Sequence, residues 1–449
     1  MSHRNTKTLA FLITTLLSTT ALAQPAPSGS ASATSAPSDP PPAPTSAPPA
    51  PQEAAPAGST TSTPATSPAP TATPTNSAPA AAPKPIAPPS DDPPVDPDLP
   101  RPFVAHTHGF SIWPLALVQA QAAPYVGKNS SFLAGDIAEH PGFRIRRARL
   151  GVAANYESLL KAEIQAELLT NAQVTLLLNQ AWVGVTPKSW FGAYMGMLDV
   201  PFSRSSLSPA ADTALIDRPL AVRALAPNQQ LGIYAHGLFA KGLLQYYLGV
   251  YNGFQRFDQF YSGYRQPQAG FGNRFDNLAY AARLASSLLT PGEEIPTVGD
   301  RKPRLNLGAS YFYSDGGARD IHSINGDVFF QHSGFRAVGE VLYSSTIPES
   351  VPTQPTSQTA NIDSFGVVLE AGYTFRKMAG AHLRFELIDP NTAVQDASDN
   401  WLLTVGLSFN PPVLGKYCRA QFEYTHREEL YGAALENDSV AIQTQFMLQ

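Results

Sequence analysis

The 449-residue chain has one cysteine, Cys418, so no intramolecular disulfide can form. An exported chain of this size then draws its stability from backbone ladders and packing, not from cross-links. Charge is also scarce, at 14% of residues, with a formal net charge of −5. Positions 103–449 hold 26 basic and 29 acidic residues, which leaves no general electrostatic case for nucleic acid as a partner. No apolar run approaches the roughly 20 residues that a membrane-crossing helix needs. Catalytic patterns are missing too. There is no Gly-x-Ser-x-Gly element, and His322, His332, His382 and His426 lie on separate segments. No cysteine–histidine spacing suggests zinc, and Asp315-Gly316-Gly317 reads as a turn before it reads as a calcium loop. The sequence therefore predicts no enzyme activity, no cofactor and no metal.

What is present begins with Arg4 and Lys7, an apolar stretch from Leu9 to Leu17, and the small-x-small trio Ala21-Leu22-Ala23. That is the layout of a secretion signal, so residues 1–23 are set apart from the fold. No cysteine stands beside the cleavage site, which argues against a lipid-anchored amino terminus. Residues 24–102 carry 25 of the 43 prolines, mixed with Ala, Ser and Thr. Such a segment cannot bury enough apolar surface to offset its ordering entropy and reads as a disordered or polyproline-like linker. At ~3.1 Å per residue it would reach on the order of 200 Å if extended. That suits a tether across the periplasm or a contact with peptidoglycan; a solvated leader without a partner is the plainer reading.

From residue 103 to 449 the pattern changes to period two. In Leu160–Leu168, Leu160, Ala162, Ile164, Ala166 and Leu168 alternate with Lys161, Glu163, Gln165 and Glu167. A strand points successive side chains to opposite faces, so this ribbon is apolar on one side and charged on the other. The alternation returns in 191–197, 244–251, 305–313, 365–375, 401–409, 418–424 and 440–448. The ribbons are about 9 to 12 residues long, as tilted strands crossing a bilayer are. Aromatics recur near their ends (Tyr156, Trp190, Tyr251, Tyr313, Tyr373, Trp401, Tyr424), as interfacial girdles require. Segmentation gives about 16 strands: 110–121, 143–156, 159–169, 174–187, 190–199, 229–239, 242–253, 276–288, 303–314, 324–332, 335–345, 363–375, 381–388, 400–409, 416–426 and 438–447. The fold class is all-β, a transmembrane antiparallel β-barrel in the outer membrane with its leader in the periplasm. A soluble β-sandwich would hide the apolar face but would need neither this strand length nor the aromatic rim.

In such a barrel the apolar face meets outer-membrane lipid and the polar face lines the lumen, which at around 16 strands is wide enough for water. The expected pore-lining residues are Arg147, Arg149, Lys161, Arg336, Arg384 and Arg419, with Glu163, Glu167, Glu340, Glu370, Glu386 and Glu423 on the same face. Arg144 and Arg146 fall on the opposite parity and are expected near the rim, where long side chains reach the headgroups. The long stretch from Ser203 to Asn228 adds Arg204, Arg218 and Arg223, and could fold inward as a constriction. Arginine rings favour anions; alternatively, these charges pair with the luminal glutamates.

Six stretches together resemble the phosphate-selective porin O and P family: FRIRRARLG at 143–151, MGMLDVPFS at 195–203, YYLGVYNG at 246–253, GFRAVGEVLY at 334–343, LEAGYTF at 369–375 and LRFELIDPN at 383–391. The resemblance implies a 16-stranded porin, usually trimeric, that carries small anionic or polar solutes such as phosphate by diffusion through a basic pore. Two departures stand out. Asp199 occupies a position where the family commonly has lysine, and the chain ends in Gln449, with Phe446 as the last aromatic. The alternative reading is a structural or adhesive envelope barrel with a plugged lumen.

Overall fold

The computed structural model describes residues 105–107, 109–127, 141–157, 159–170, 174–253, 278–295, 302–315, 319–348, 361–376, 378–414 and 417–448. The expected signal segment and linker (1–102), the Gly316-Gly317 turn and Gln449 lie outside the described residues.

Seventeen strands are described: β1 (Ala105–Thr107), β2 (Phe110–Val126), β3 (Gly142–Tyr156), β4 (Leu160–Thr170), β5 (Val174–Lys188), β6 (Phe191–Asp199), β7 (Gln229–Phe239), β8 (Leu244–Asn252), β9 (Leu278–Ser287), β10 (Arg304–Asp315), β11 (Arg319–His332), β12 (Phe335–Pro348), β13 (Ile362–Phe375), β14 (Ala379–Asp389), β15 (Asn400–Phe409), β16 (Cys418–Glu429) and β17 (Ser439–Leu448). From β2 onward each strand pairs antiparallel with the next, and β17 pairs back to β2, with Phe446 opposite Val118. Sixteen strands thus form a closed barrel, which leaves no backbone edge unpaired in hydrocarbon. The short β1 folds onto the start of β2, with Ala105 opposite Ile112.

One end of the barrel carries the tight turns at 189–190, 240–243 and 333–334, with residues 288–295 following β9 there; the other carries the fully described long connections 200–228, 390–399 and 430–438. Ser333 and Gly334, both at positive φ (47° and 88°), join β11 to β12 in a two-residue turn that matches the twist of its strands. Because the strand count is even, Phe110 and Leu448 lie at the same, tight-turn end.

The period-two reading fixes the phase of every strand. Leu150, Ile164, Met195 and Leu248 are 57–65% exposed on the outer face, whereas Gln119 and Gln443 are fully buried on the inner one. Three positions differ from expectation. Tyr251 is not a rim aromatic: it shares parity with Gln245 and is buried inside the barrel. Arg144 and Arg146 are not at the lipid rim either. The β2–β3 ladder slips between Gln119 and Ala120, whose partners are Arg147 and Ile145, so Arg146 is the extra residue of a β-bulge. The bulge reverses parity ahead of it, sending Phe143 (94% exposed) and Ile145 outward and Arg144 inward.

Candidate functional site

The segment between β6 and β7, residues 200–228, touches strands all round the ring, which only a segment inside the barrel can do. Gln119 of β2 donates to the Ala210 carbonyl (3.4 Å), and Gln445 of β17 to that of Ala211 (2.9 Å). Arg419 of β16 donates to Thr213 O (2.9 Å), while the Ile216 amide donates to Glu423 (2.8 Å). Arg384 of β14 reaches Asp217 O (2.8 Å), and Arg283 of β9 reaches Phe202 O (2.8 Å). Glu340 of β12 accepts from Ser203 Oγ (2.5 Å) and from the amide and hydroxyl of Ser205.

Local sequence explains the shape of this insert. Ser203 caps the one-turn helix Arg204–Leu207 by accepting from the Ser206 amide (3.3 Å). Pro219 opens the helix Leu220–Leu225, and Glu386 accepts from the Ala221 amide (3.1 Å), which satisfies one of the helix's orphan N–H groups. The apolar face of that helix packs with Val200 and Phe202 on inward-pointing Phe312, Ile321, Leu342, Val368, Ile388 and Leu402. The wall makes room by shedding side chains: a Cβ on Gly406 would stand 2.2 Å from Leu215 Cδ2. An apolar core therefore fills the lumen on the β8–β15 side.

The insert is fastened by a buried network of four charges. Arg204 pairs with Asp327 (3.1 Å) and Glu294 (3.3 Å). Arg283 pairs with the same two carboxylates, at 2.7 Å from Asp327 and 2.6 Å from Glu294. Glu294 comes from the 288–303 connection, at the opposite end of the barrel from residues 200–228. Two cations and two anions at 0–2% exposure make a neutral set, the condition under which buried charge is tolerated.

The predicted arginines are thus distributed as follows. Arg147 donates to Gln119 (2.7 Å) and pairs with Asp217 (3.2 Å); Arg149 pairs with Glu167 (2.9 Å). Arg384 pairs with Glu386 (2.8 Å), and Arg419 lies 3.9 Å from Asp212. Arg336 sits over the Phe329 ring at 5.5 Å, Lys161 is half-buried on β4, and Arg223 rides on the 220–225 helix near Asp217. Arg218 donates to Ser208 O (2.6 Å). Burial alone would raise the Asp217 carboxyl, but Arg146 and Arg147 beside it hold it well below the usual carboxylate range. Asp217, Glu294 and Asp327 escaped sequence reasoning. Asp217 and Asp327 find their arginines tens of residues away, and Glu294 sits in a connection, so no local pattern marks them.

Between the insert and the β2–β6 wall remains a cavity of about 400 Å³. Its polar lining comprises Arg149, Glu163, Gln165, Glu167, Asn179, Gln180, Asp199, Arg218 and Gln229; Leu115, Leu117 and Met447 supply apolar surface. Gln180 donates to Asp199 (3.0 Å), and the Gln229 side chain bonds it too. Glu163 has no hydrogen-bond or ion-pair partner among the described residues. Arg149, Arg147, Arg146 and Arg144 ascend β3 from this cavity towards the end with the long connections. A smaller cavity, about 30 Å³, has Arg144, Asp217, Arg218, Arg384, Glu423 and Arg427 around it.

Three comparisons bear on this arrangement. The model of the phosphate-selective porin O and P family matches residues 128–285, the stretch holding β3 to most of β9, so the resemblance read from the sequence stands there. A comparison with curated proteins finds no match. Among solved structures, the chain is similar to OmpF of Salmonella typhi in complex with daunomycin (10% identity, TM-score 0.51, 77% of this chain and 100% of that one). It is also similar to an anion-selective porin from Comamonas acidovorans (13%, 0.50, 75% and 99%). A loop-deletion mutant of the outer-membrane protein OmpT of Vibrio cholerae gives 11%, 0.50, 76% and 99%. At these identities the likeness is one of fold. Family match and fold together support an outer-membrane channel rather than an enzyme.

Proposed function

We propose that this protein is an outer-membrane channel for small hydrophilic solutes that carry an anionic group, phosphate among them. The observation that carries the reading is the series Arg144, Arg146, Arg147 and Arg149, which descends one wall of a closed barrel to a cavity beside the inward segment. Arg147 is held by Gln119 and Asp217 and Arg149 by Glu167, and each keeps further N–H groups of its five for a passing oxyanion. The family match to phosphate-selective porins favours the same solute class. In this reading the tight-turn end faces the periplasm and the long connections face outwards, the arrangement usual for outer-membrane barrels. Both ends of the barrel chain then emerge on the periplasmic side, where residues 24–102 act as a linker after removal of residues 1–23. Trimer assembly, implied by the resemblance, and contact of the linker with peptidoglycan are part of the proposal.

A second reading, a structural barrel with a plugged lumen, is favoured by the apolar core and four-charge network that fill the β8–β15 side. Single-channel recording in a planar bilayer under a potassium chloride gradient, followed by addition of phosphate, separates the two. The channel reading expects steady conductance, an anion-selective reversal potential and a phosphate-dependent fall in chloride current. Silence from folded, heat-modifiable protein would favour the plugged barrel, and a cation-selective potential would remove the anion preference.

A further inference from the structure

The 400 Å³ cavity has room for on the order of a dozen waters, or for a solute of several heavy atoms. Its charges are not all spent on one another. Arg149 is answered by Glu167 at 2.9 Å. Asp199 accepts hydrogen bonds from the amides of Gln180 and Gln229, while Arg218 and Arg149 act on it through space. Glu163 has no bonding partner among the described residues and lies close enough to Asp199 for the two to repel. Arg218, carried in by the insert, spends one N–H on the Ser208 carbonyl, and its Nε has no partner. Arg218 and Asp199 are within electrostatic reach of each other but form no ion pair, since each is turned to other partners. The cavity thus presents a guanidinium with an unpartnered Nε on the insert and two carboxylates on the β4 and β6 wall, with Leu115, Leu117 and Met447 also in its lining.

A simple anion would answer Arg218 and leave Glu163 and Asp199 repelling each other and the ligand. A simple cation would do the reverse. The complementary ligand carries both charges on a short frame. We propose that this cavity binds small zwitterions, with Arg218 taking a carboxylate and Glu163 and Asp199 an ammonium or guanidinium. Counting one unfilled cation against two unfilled carboxylates, a ligand of net charge +1 satisfies the site best, which singles out basic amino acids. The inference rests on the channel reading only in treating the cavity as part of the solute's route. It gives the anionic group that follows the β3 arginines an identity, the carboxylate of an amino acid.

The test is calorimetric titration of the full-length, detergent-solubilised protein with L-arginine, glycine, inorganic phosphate and agmatine, which is arginine without its carboxylate. L-arginine is expected to bind at least tenfold tighter than any of the other three, and Glu163→Gln or Asp199→Asn to weaken it about tenfold. Equal affinity for agmatine would overturn the role of Arg218, and phosphate binding as tightly as arginine would overturn the zwitterion class. Arginine binding that survives both variants would also defeat the proposal. The ligand series is measured on the unaltered protein, so it decides the matter even if a variant does not fold. Bilayer recording reads the channel separately: binding without conductance would leave the site standing and the channel reading refuted.

Discussion

Arg204 is the residue on which the interior depends most. It links the insert to Asp327 on the wall and to Glu294 on a connection from the other end, with its guanidinium 4.9 Å above the Phe329 ring. Arg204→Met keeps the bulk but leaves two carboxylates sharing Arg283 alone. Loss of one member of a buried charge set costs about 3–5 kcal/mol, and the low end is expected here because Arg283 already contacts both acids. Thermal unfolding followed by heat modifiability on gels would show a lower transition, with noisier open-channel current in bilayers. Asp399, in the connection before β15, makes a different prediction. Burial and the neighbouring Asp389 carboxylate raise it from 3.8 to about 6. A raised folded value means that its contribution to stability is complete below about pH 4 and is lost as pH climbs through 6. Hydrogen exchange of amides 390–400, corrected for intrinsic rates, should therefore be slower at pH 5 than at pH 7.5, and Asp399→Asn should abolish the difference. Asp217 has the opposite sign: held low by Arg146 and Arg147, it stabilises above about pH 4 and fails only in stronger acid.

At the scale of the element, the bulge on β3 determines how many arginines enter the lumen. Deleting Arg146 removes the extra residue and leaves a regular ladder, in which Arg144 stays inward opposite Gln121 and Ile145 stays outward opposite Ala120. No arginine is then turned to lipid, where it would cost about 2–4 kcal/mol at mid-membrane, so the barrel should assemble at close to its normal yield. In a Cys418→Ser background, Arg144→Cys should react with a membrane-impermeant thiol reagent and Ile145→Cys should not, with or without Arg146. Reaction at Ile145→Cys in the undeleted chain would show that the bulge does not set the phase. Why strands were legible and this bulge was not follows from the physics of each. Strand phase repeats along ten residues, because one face meets lipid and the other does not, so Leu244–Tyr251 and Phe365–Phe375 declare themselves. A bulge is one residue of slip, and a run of Arg on both parities hides it. The partners of Arg204 were equally hidden: they are set by contacts across the barrel, such as Arg204 to Asp327, that leave no trace in local spacing. Arg384, by contrast, pairs with Glu386 on its own strand, a glutamate that the alternation puts on the same face. The length of residues 203–228 led to the expectation of an inward constriction; which wall residues it meets was not readable.

The whole molecule is a barrel with two independent sources of stability. The outer ladder is a closed ring of paired strands held by lipid; the interior is an apolar and ionic core formed where residues 200–228 meet the inward side chains of the wall. Replacing residues 204–226 with a short Gly-Ser link separates them. Phe312, Ile321, Leu342, Val368, Ile388 and Leu402 would then face water, forfeiting on the order of 10 kcal/mol of apolar burial. That figure is an upper bound, since the wall relaxes. The ring hydrogen bonds and the lipid-facing side chains are untouched, so the shortened protein should still fold into a heat-modifiable barrel, with a transition at lower temperature. With the segment gone, nothing in the described residues narrows the ring except the 288–303 connection, whose Glu294 loses Arg204 but keeps Arg283. Conductance should rise several-fold, and any anion preference should fall as Arg218 and Arg223 leave the lumen. Unchanged conductance would mean that the narrowest point lies elsewhere. A barrel that no longer assembles would mean that the interior core, and not the ladder alone, is needed to close the ring.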